Sequence, residues 1–538
     1  MSSPPFALSL SLSLSLPLSL PLSLPLPDCR RERLRPSTIL AFFLGLTLAW
    51  PGVLQAQDED FDDMMGGFDD EFDVSELDDM EATAPGWLAT LPGGNWLFEN
   101  VEVSGSLAVG AVWNYLSHTA SDSIPQASTP PAPVTFGQTD FGGLSRLDLD
   151  GFLQIDIQLP NEWTFRGEGL AWYDFAYRIN GRSDYNGAVL DVYEWQVDTG
   201  ELYIQGPVTD SIDLAIGRKV VNWGRSDTFR IVDVVNPLDS KEPGLVDIED
   251  LRRPVAMIKV DVQSGPWSGQ LLVIPEHRYD RLPPPGSDFI PDVFTSPSPD
   301  GSGSGLAGGA AIRDGSDWAR TPGFAAKFDG RFSGWDFSLY GAYIDQSRRV
   351  IDREGFGVRA EANRIGLVGA AGNITRGAFL LKAETAFLTG VRTLRFDVPP
   401  FLAPNLLTHE RERLDTMVGI EYYGPDSLTI AIEILNRHLF DHPGGPTGRQ
   451  ELTPADSFET ALRISRPFFR ERLDVTLLGV VAGEKMQDGG LIRGSMEYEL
   501  TDSLKVEGGI LVFFGGPRIT LGGFDSNDRV FSELKYSF

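Results

Sequence analysis

The residues best placed to do chemistry crowd into one stretch, 216 to 257. Arg218, Trp223, Arg225, Asp227, Asn236, Asp239, Arg252 and Arg253 stand there among Arg230, Asp233, Glu242, Asp247, Glu249 and Asp250. Guanidinium and carboxylate groups at this density can neutralise one another at short range. Asn236-Pro237 favours a turn, and Asp239 can bond its own backbone there. Nothing in the run pairs a nucleophile with a base. No G-x-S-x-G lies in a strand-to-helix context. The five histidines, His118, His277, His409, His438 and His442, fall in or beside segments that read as loops. His438 and His442 flank Asp441 with metal-like spacing, but without helical geometry or a third ligand the pair reads as surface. No enzyme is expected, and no catalytic, cofactor-binding or metal-ligating residue is assigned.

The elements that must hold this stretch follow from period-2 alternation. In 146–159, Leu147, Leu149, Leu153, Ile155, Ile157 and Leu159 alternate with Arg146, Asp148, Asp150, Gln154, Asp156 and Gln158. That is the pattern of a strand with one wet and one apolar face. The next strand sets Phe165, Tyr173, Phe175 and Tyr177 against Arg166, Glu168, Asp174 and Arg178. Similar strands are read at 412–423, 427–437, 470–482, 491–500 and 503–514. Parity slips near Thr199-Gly200 and at Gly217 predict bulges. Short connections such as 160–163, 206–210, 264–268 and 424–426 alternate with long ones at 117–143, 222–252, 276–321, 391–411, 439–456 and 515–528. This rhythm predicts an all-β, transmembrane antiparallel barrel over 101–538, with about 18 strands and 16 as the fallback. The polar faces would line its lumen, with Arg166, Glu168, Glu421, Glu433 and Arg437 as wall candidates and mixed charge signs that predict weak ion selectivity.

Composition agrees. Mean hydropathy is near zero, as expected when half of each strand faces water. The formal net charge of −31 argues against nucleic acid as a partner. Cys29 is the one cysteine, so no disulfide or cysteine-based metal site is available. Residues 1–29 are a Ser/Leu/Pro repeat consistent with a start assigned too far upstream. Residues 30–56 read as a secretory signal, with Arg30, Arg31, Arg33 and Arg35 before an apolar run and cleavage after Ala56. Residues 57–82 carry 13 acidic and no basic residues. The 57–85 segment is therefore expected to be a disordered periplasmic tail that could dock a periplasmic partner. Residues 86–100 lead into the barrel.

The chain ends on Leu534-Lys535-Tyr536-Ser537-Phe538, alternation carried to a terminal aromatic. This resembles the C-terminal signature of Gram-negative outer-membrane barrels, whose last strand pairs with the first. Trp223-Gly224, then Asn236-Pro237-Leu238-Asp239, and later Leu282-Pro283-Pro284-Pro285-Gly286-Ser287 resemble a proteobacterial family of outer-membrane, porin-like barrels. The resemblance covers roughly 210 to 290. It implies the fold and a cell outer-membrane location, with lipids and the barrel assembly machinery as partners, and brings no catalytic or ligand residues.

The expected function is a porin-like channel or transporter for small molecules. The rival is a closed barrel serving as receptor or scaffold for a periplasmic or inner-membrane partner. In the first case Arg218 to Arg253 would fold inward as a constriction, joined by Arg278 and Arg281. The alternative for this stretch is a salt-bridged loop whose charges only keep a rim rigid. The long connection divides in the same spirit. Residues 276–294 have prolines and aromatic rings able to pack and are expected in the lumen beside Trp223 to Asp239, while the Gly/Ser-rich 299–316 would stay mobile outside.

Overall fold

The computed structural model describes residues 100–116, 119–121, 138–246, 250–284, 286–289, 316–348, 350–354, 357–361, 363–397, 405–442, 449–451, 453–516, 524 and 526–538. The expected signal, the acidic tail and 299–315 lie outside them, as does all of the lead-in but Asn100. Eighteen antiparallel strands form one ring among the described residues. They are β1 (Val101–Asn114), β2 (Gly143–Gln158), β3 (Thr164–Asp174), β4 (Trp195–Thr209), β5 (Ile212–Lys219), β6 (Val255–Ser264), β7 (Trp267–Arg278), β8 (Ser316–Phe332) and β9 (Trp335–Asp345). The ring continues through β10 (Arg364–Arg376), β11 (Phe379–Asp397), β12 (Asn405–Tyr423), β13 (Thr429–Leu439), β14 (Asp456–Phe468), β15 (Leu473–Ala482), β16 (Gly490–Glu499), β17 (Leu504–Phe514) and β18 (Arg529–Ser537).

β1 closes the ring. It pairs with β2 on one side and with β18 on the other, from Ser106↔Ser537 to Asn114↔Arg529. The terminal residue completes the ladder, with Phe538 N–H donating to Gly105 (3.0 Å) and Gly105 N–H donating to Phe538 (2.9 Å). Closure leaves no edge strand among the described residues, so each strand finds ladder partners on both sides. Alternate side chains face out and are apolar, among them Leu107, Val109, Leu149, Leu153, Val368, Val418, Ile432 and Ile434. Val368 is 71% exposed. A ring of such residues fits hydrocarbon and not water, which makes this a transmembrane barrel. Aromatic side chains gather beside the short turns: Trp267 over Phe328, Phe332 over Trp335, Phe379 by Tyr422, and Tyr536 by Phe538. That is the position of an interfacial girdle.

Three local expectations are corrected. The strand expected to run through Tyr177 ends at Asp174. The Asp174 carboxylate accepts from the N–H groups of Leu147 (2.9 Å) and Ala176 (2.8 Å), and this turn lifts the chain into a short helix, Ala176–Ile179. Residues 391–411 are mostly strand. β11 passes a register shift between Leu388 and Val391 and continues to Asp397, leaving only 398–404 as connection. The bulge expected near Thr199-Gly200 is present opposite Gly167 and Gly169, but at Gly217 the ladder runs unbroken. Gly217 is needed for another reason: its φ is +138°, and a Cβ there would lie 2.2 Å from the Leu202 carbonyl oxygen.

Candidate pore and its inward-folded segments

The connection between β5 and β6 does not lie on the rim. Val221, Trp223, Phe229, Ile231, Val232 and Val235 are buried against Met257, Leu272, Ile344, Leu367, Ala386, Leu388, Met417 and Leu435, inward-facing positions of β6 to β13. A barrel wall is ordinarily polar inside. Here it carries an apolar patch where the segment covers it, and burial there contributes about 1.5–3 kcal/mol per large side chain to holding the segment.

At the tip, polar groups fix the register. Gly224 turns the chain with φ +99°, close enough to Glu384 that a Cβ would sit 3.0 Å from its Oε1. The backbone N–H groups of Arg225 and Ser226 then donate to Glu384. Ser226 Oγ donates to Glu433 (2.6 Å), as does the Asp227 N–H (3.1 Å). Lys382 reaches Asp227 (2.7 Å), Glu433 (3.0 Å) and Glu421. One ammonium thus joins the tip to two wall carboxylates. Burial pushes the Asp227 carboxyl above its ordinary range, and the Lys382 hydrogen bond pulls the other way. Arg225 pairs with Asp336, and Trp223 Nε1 donates to Gln270 (2.8 Å) with its ring beside Tyr340.

Asn236, fully buried, staples the base of the segment. Its Oδ1 accepts from Val221 N–H (2.8 Å), and its Nδ2 donates to the carbonyls of Lys219 (3.1 Å) and Arg253 (2.9 Å). Both ends of the segment are therefore tied to one side chain. Asp233 takes Arg230 and Arg252, and Arg252 also reaches Asn222. Asp239 takes Arg281 (2.7 Å), and Asp198 on β4 takes Arg281 (3.0 Å) and Arg278 (3.2 Å), with Arg253 at 3.9 Å. Arg218 pairs with Glu276 on β7.

The segment after β7 also turns inward as far as it is described. The Arg281 N–H donates to the Leu238 carbonyl, the Ser240 N–H to Arg281, and the Leu238 N–H to Asp280. The stretch beginning at Arg278 therefore lies beside Leu238 to Ser240. Further on, Phe289 joins Leu245 and Phe524 in a second apolar cluster on Val112, Leu511, Phe513 and Phe531, inward positions of β1, β17 and β18.

What remains of the lumen is polar. Its wall on β1 to β3 and β15 to β18 carries Asp156–Arg166 (2.8 Å), Arg493–Glu507 (3.1 Å) and Lys505 between Glu497 and Glu499. Lys505, Glu497 and Glu499 are 39–41% exposed, so water fills this side at the short-turn end. Nearer the long loops a cavity of about 200 Å³ lies between β2, β3 and the outgoing half of the β5–β6 segment. Arg146, Asp148, Asp150, Trp172, Asp239, Lys241 and Glu242 line it. Burial pushes the Lys241 ammonium down, against the pull of Asp239 and Glu242, and its Nζ lies 3.8 Å from the centre of the Trp172 ring.

The wall candidates thus divide. Glu421 and Glu433 are covered by the segment. Arg437 pairs with Glu459, and Arg166 and Glu168 face the polar side; Glu168 accepts from the Glu201 N–H. Lys382 and Glu384, which organise the tip, were not singled out from the sequence. They occupy the inward parity of a strand whose outward positions are Leu381 and Ala383, so alternation alone points to them. Asp288 and Arg529 carried no comparable signal. His438 pairs with Asp456, and His442 with the Thr453 carbonyl.

Fold and interior define an eighteen-stranded transmembrane β-barrel with a folded-in segment. The chain belongs to the family described as "Protein of unknown function (DUF1302)", whose model matches residues 38–538. That match extends well beyond the 210–290 stretch. No curated protein matches the sequence. Solved structures similar to the chain include Acinetobacter baumannii OccAB3 (8% identity, 82% of this chain and 99% of that one, TM-score 0.43). Pseudomonas aeruginosa OccK3 (OpdO) is similar at 12% identity, over 82% and 97%, with TM-score 0.44. OccK2 (OpdF) of the same organism, solved in complex with glucuronate, is similar at 10% identity, over 82% and 96%, with TM-score 0.41.

Proposed function

We propose that the protein is a channel of a Gram-negative outer membrane that passes small polar molecules through one half of its lumen. The observation that carries this is the hydrated, mixed-charge strip on β1 to β3 and β15 to β18, which a sealed scaffold has no need of. An apolar exterior between an aromatic girdle and long loops supports the location. The Trp223-Gly224 and Asn236-Pro237-Leu238-Asp239 series serves as the signature of the fixed constriction: tryptophan as anchor, glycine as tip, asparagine as staple. Purified barrel in planar bilayers should give steady single-channel steps. A heat-modifiable, correctly folded preparation that never conducts would instead favour the closed receptor or scaffold.

A further inference from the structure

The cavity of about 200 Å³ beside β2 and β3 holds opposite charges that do not meet. Inside this barrel Arg218 is paired with Glu276, and Arg529 with Asp288 (2.9 Å). Lys241 is not paired in that way. Its ammonium lies 3.8 Å from the centre of the Trp172 ring, and among the described residues no carboxylate oxygen comes within ion-pair distance of it. Burial pushes this ammonium down although Asp239 and Glu242 are near, and each of those carboxylates already holds another cation, Arg281 (2.7 Å) and Arg146 (3.1 Å). The acidic groups of the cavity have the reverse shortage. Asp148, Asp150 and Glu242 share the one guanidinium of Arg146. Asp150 has the poorest contact with it, at 3.5 Å, and is the most exposed of the three, at 34%. Trp172, Val246 and Leu251 give the same cavity an apolar surface.

We propose that this cavity is a binding site for a small zwitterion, an amino acid whose ammonium and carboxylate are separated by a short alkyl chain. Its part in passage rests on the channel function proposed above. The solute carboxylate takes the unused N–H donors of Lys241, and the solute ammonium takes Asp150 beside Asp148. The alkyl chain lies on Trp172, Val246 and Leu251. The cavity is large enough for several waters, and hence for a solute of this size. A zwitterion supplies both missing charges and adds none net. A simple anion would meet Lys241 but bring negative charge beside three carboxylates that share one guanidinium. A simple cation would leave Lys241 without a counter-ion.

The test is a saturation-transfer NMR titration of the full barrel folded in detergent, with 4-aminobutanoate as the probe and butanoate and butylammonium as its single-charge counterparts. 4-Aminobutanoate should bind the parent about tenfold or more tighter than either counterpart. Lys241→Met removes the partner of the carboxylate and should abolish the advantage over butylammonium. Asp150→Asn removes the partner of the ammonium and should abolish the advantage over butanoate. Lys241 lies on the β5–β6 segment, outside the ladder, so if Asp150→Asn does not fold, Lys241→Met decides. No binding of 4-aminobutanoate, equal binding of the three probes to the parent, or an unchanged ranking in a folded variant overturns the site. Binding needs no conduction, so a barrel that binds 4-aminobutanoate with this ranking but passes no current keeps the site and overturns the channel function alone.

Discussion

The two sides of the lumen are built on opposite principles. From β6 to β13 the inner wall carries a broad apolar patch beside its charged groups, and 220–235 covers it with Trp223, Phe229, Ile231 and Val232. From β15 through β18 to β3 the inner wall is charged toward the short turns, and its side chains there pair with one another while still meeting water. The first side is a protein core that happens to lie inside a barrel. Lifting the segment would expose that core, so packing holds the segment in place. The second side keeps its polar groups solvated at the expense of packing. The contrast teaches that a charge-rich loop can be held mainly by its few apolar residues, with the charges setting register.

Removing the ammonium that joins tip and wall should have the largest effect. Lys382→Met leaves the buried Glu421 and Glu433 facing each other without a counter-ion, with the more exposed Asp227 beside them, and breaking a buried pair this way costs about 3–5 kcal/mol. The expected outcome is a sharply lower midpoint in urea unfolding followed by gel mobility. Trp223→Ala comes next. It removes a side chain with 2% exposure and the hydrogen bond to Gln270, at about 3–5 kcal/mol. Conductance should rise only if the segment then detaches, so unchanged step size with lowered stability keeps the segment in place. The smallest stability effect belongs to the polar side. Lys505→Gln should change unfolding by about 0–1 kcal/mol, because its partners Glu497 and Glu499 are well exposed. It should nonetheless shift the reversal potential toward cations, since two carboxylates lose their counter-ion.

Much of this was legible in the sequence. Alternation gave the barrel, the strand number and the inward parity of Arg166, Glu168, Glu421, Glu433 and Arg437, because membrane and lumen impose a strict period of two. The loop rhythm located the inward-turning connections. Charge density drew attention to 216–257 but left open whether it stiffened a rim or entered the lumen. Deciding that required the inner wall, whose apolar positions Leu272, Leu367, Met417 and Leu435 sit on many strands and show no local signal. The same holds for Asp288 and Arg529, which lie far apart in sequence and meet only when the ring closes. The misplaced end of β3 came from Asp174, whose carboxylate competes with the ladder for backbone N–H groups.

The central claim is that solute passes on the charged side alone. Thiol accessibility during conduction tests it directly, since Cys29 is the one native cysteine and lies far from the barrel in sequence. Glu507→Cys places a thiol on the charged side, and Ala386→Cys places one under the covered side, where the parent residue is fully buried. A small water-soluble cationic thiol reagent added to conducting channels should step the current down in Glu507→Cys and leave Ala386→Cys unchanged. Block at Ala386→Cys, or none at Glu507→Cys in a conducting channel, would contradict the account.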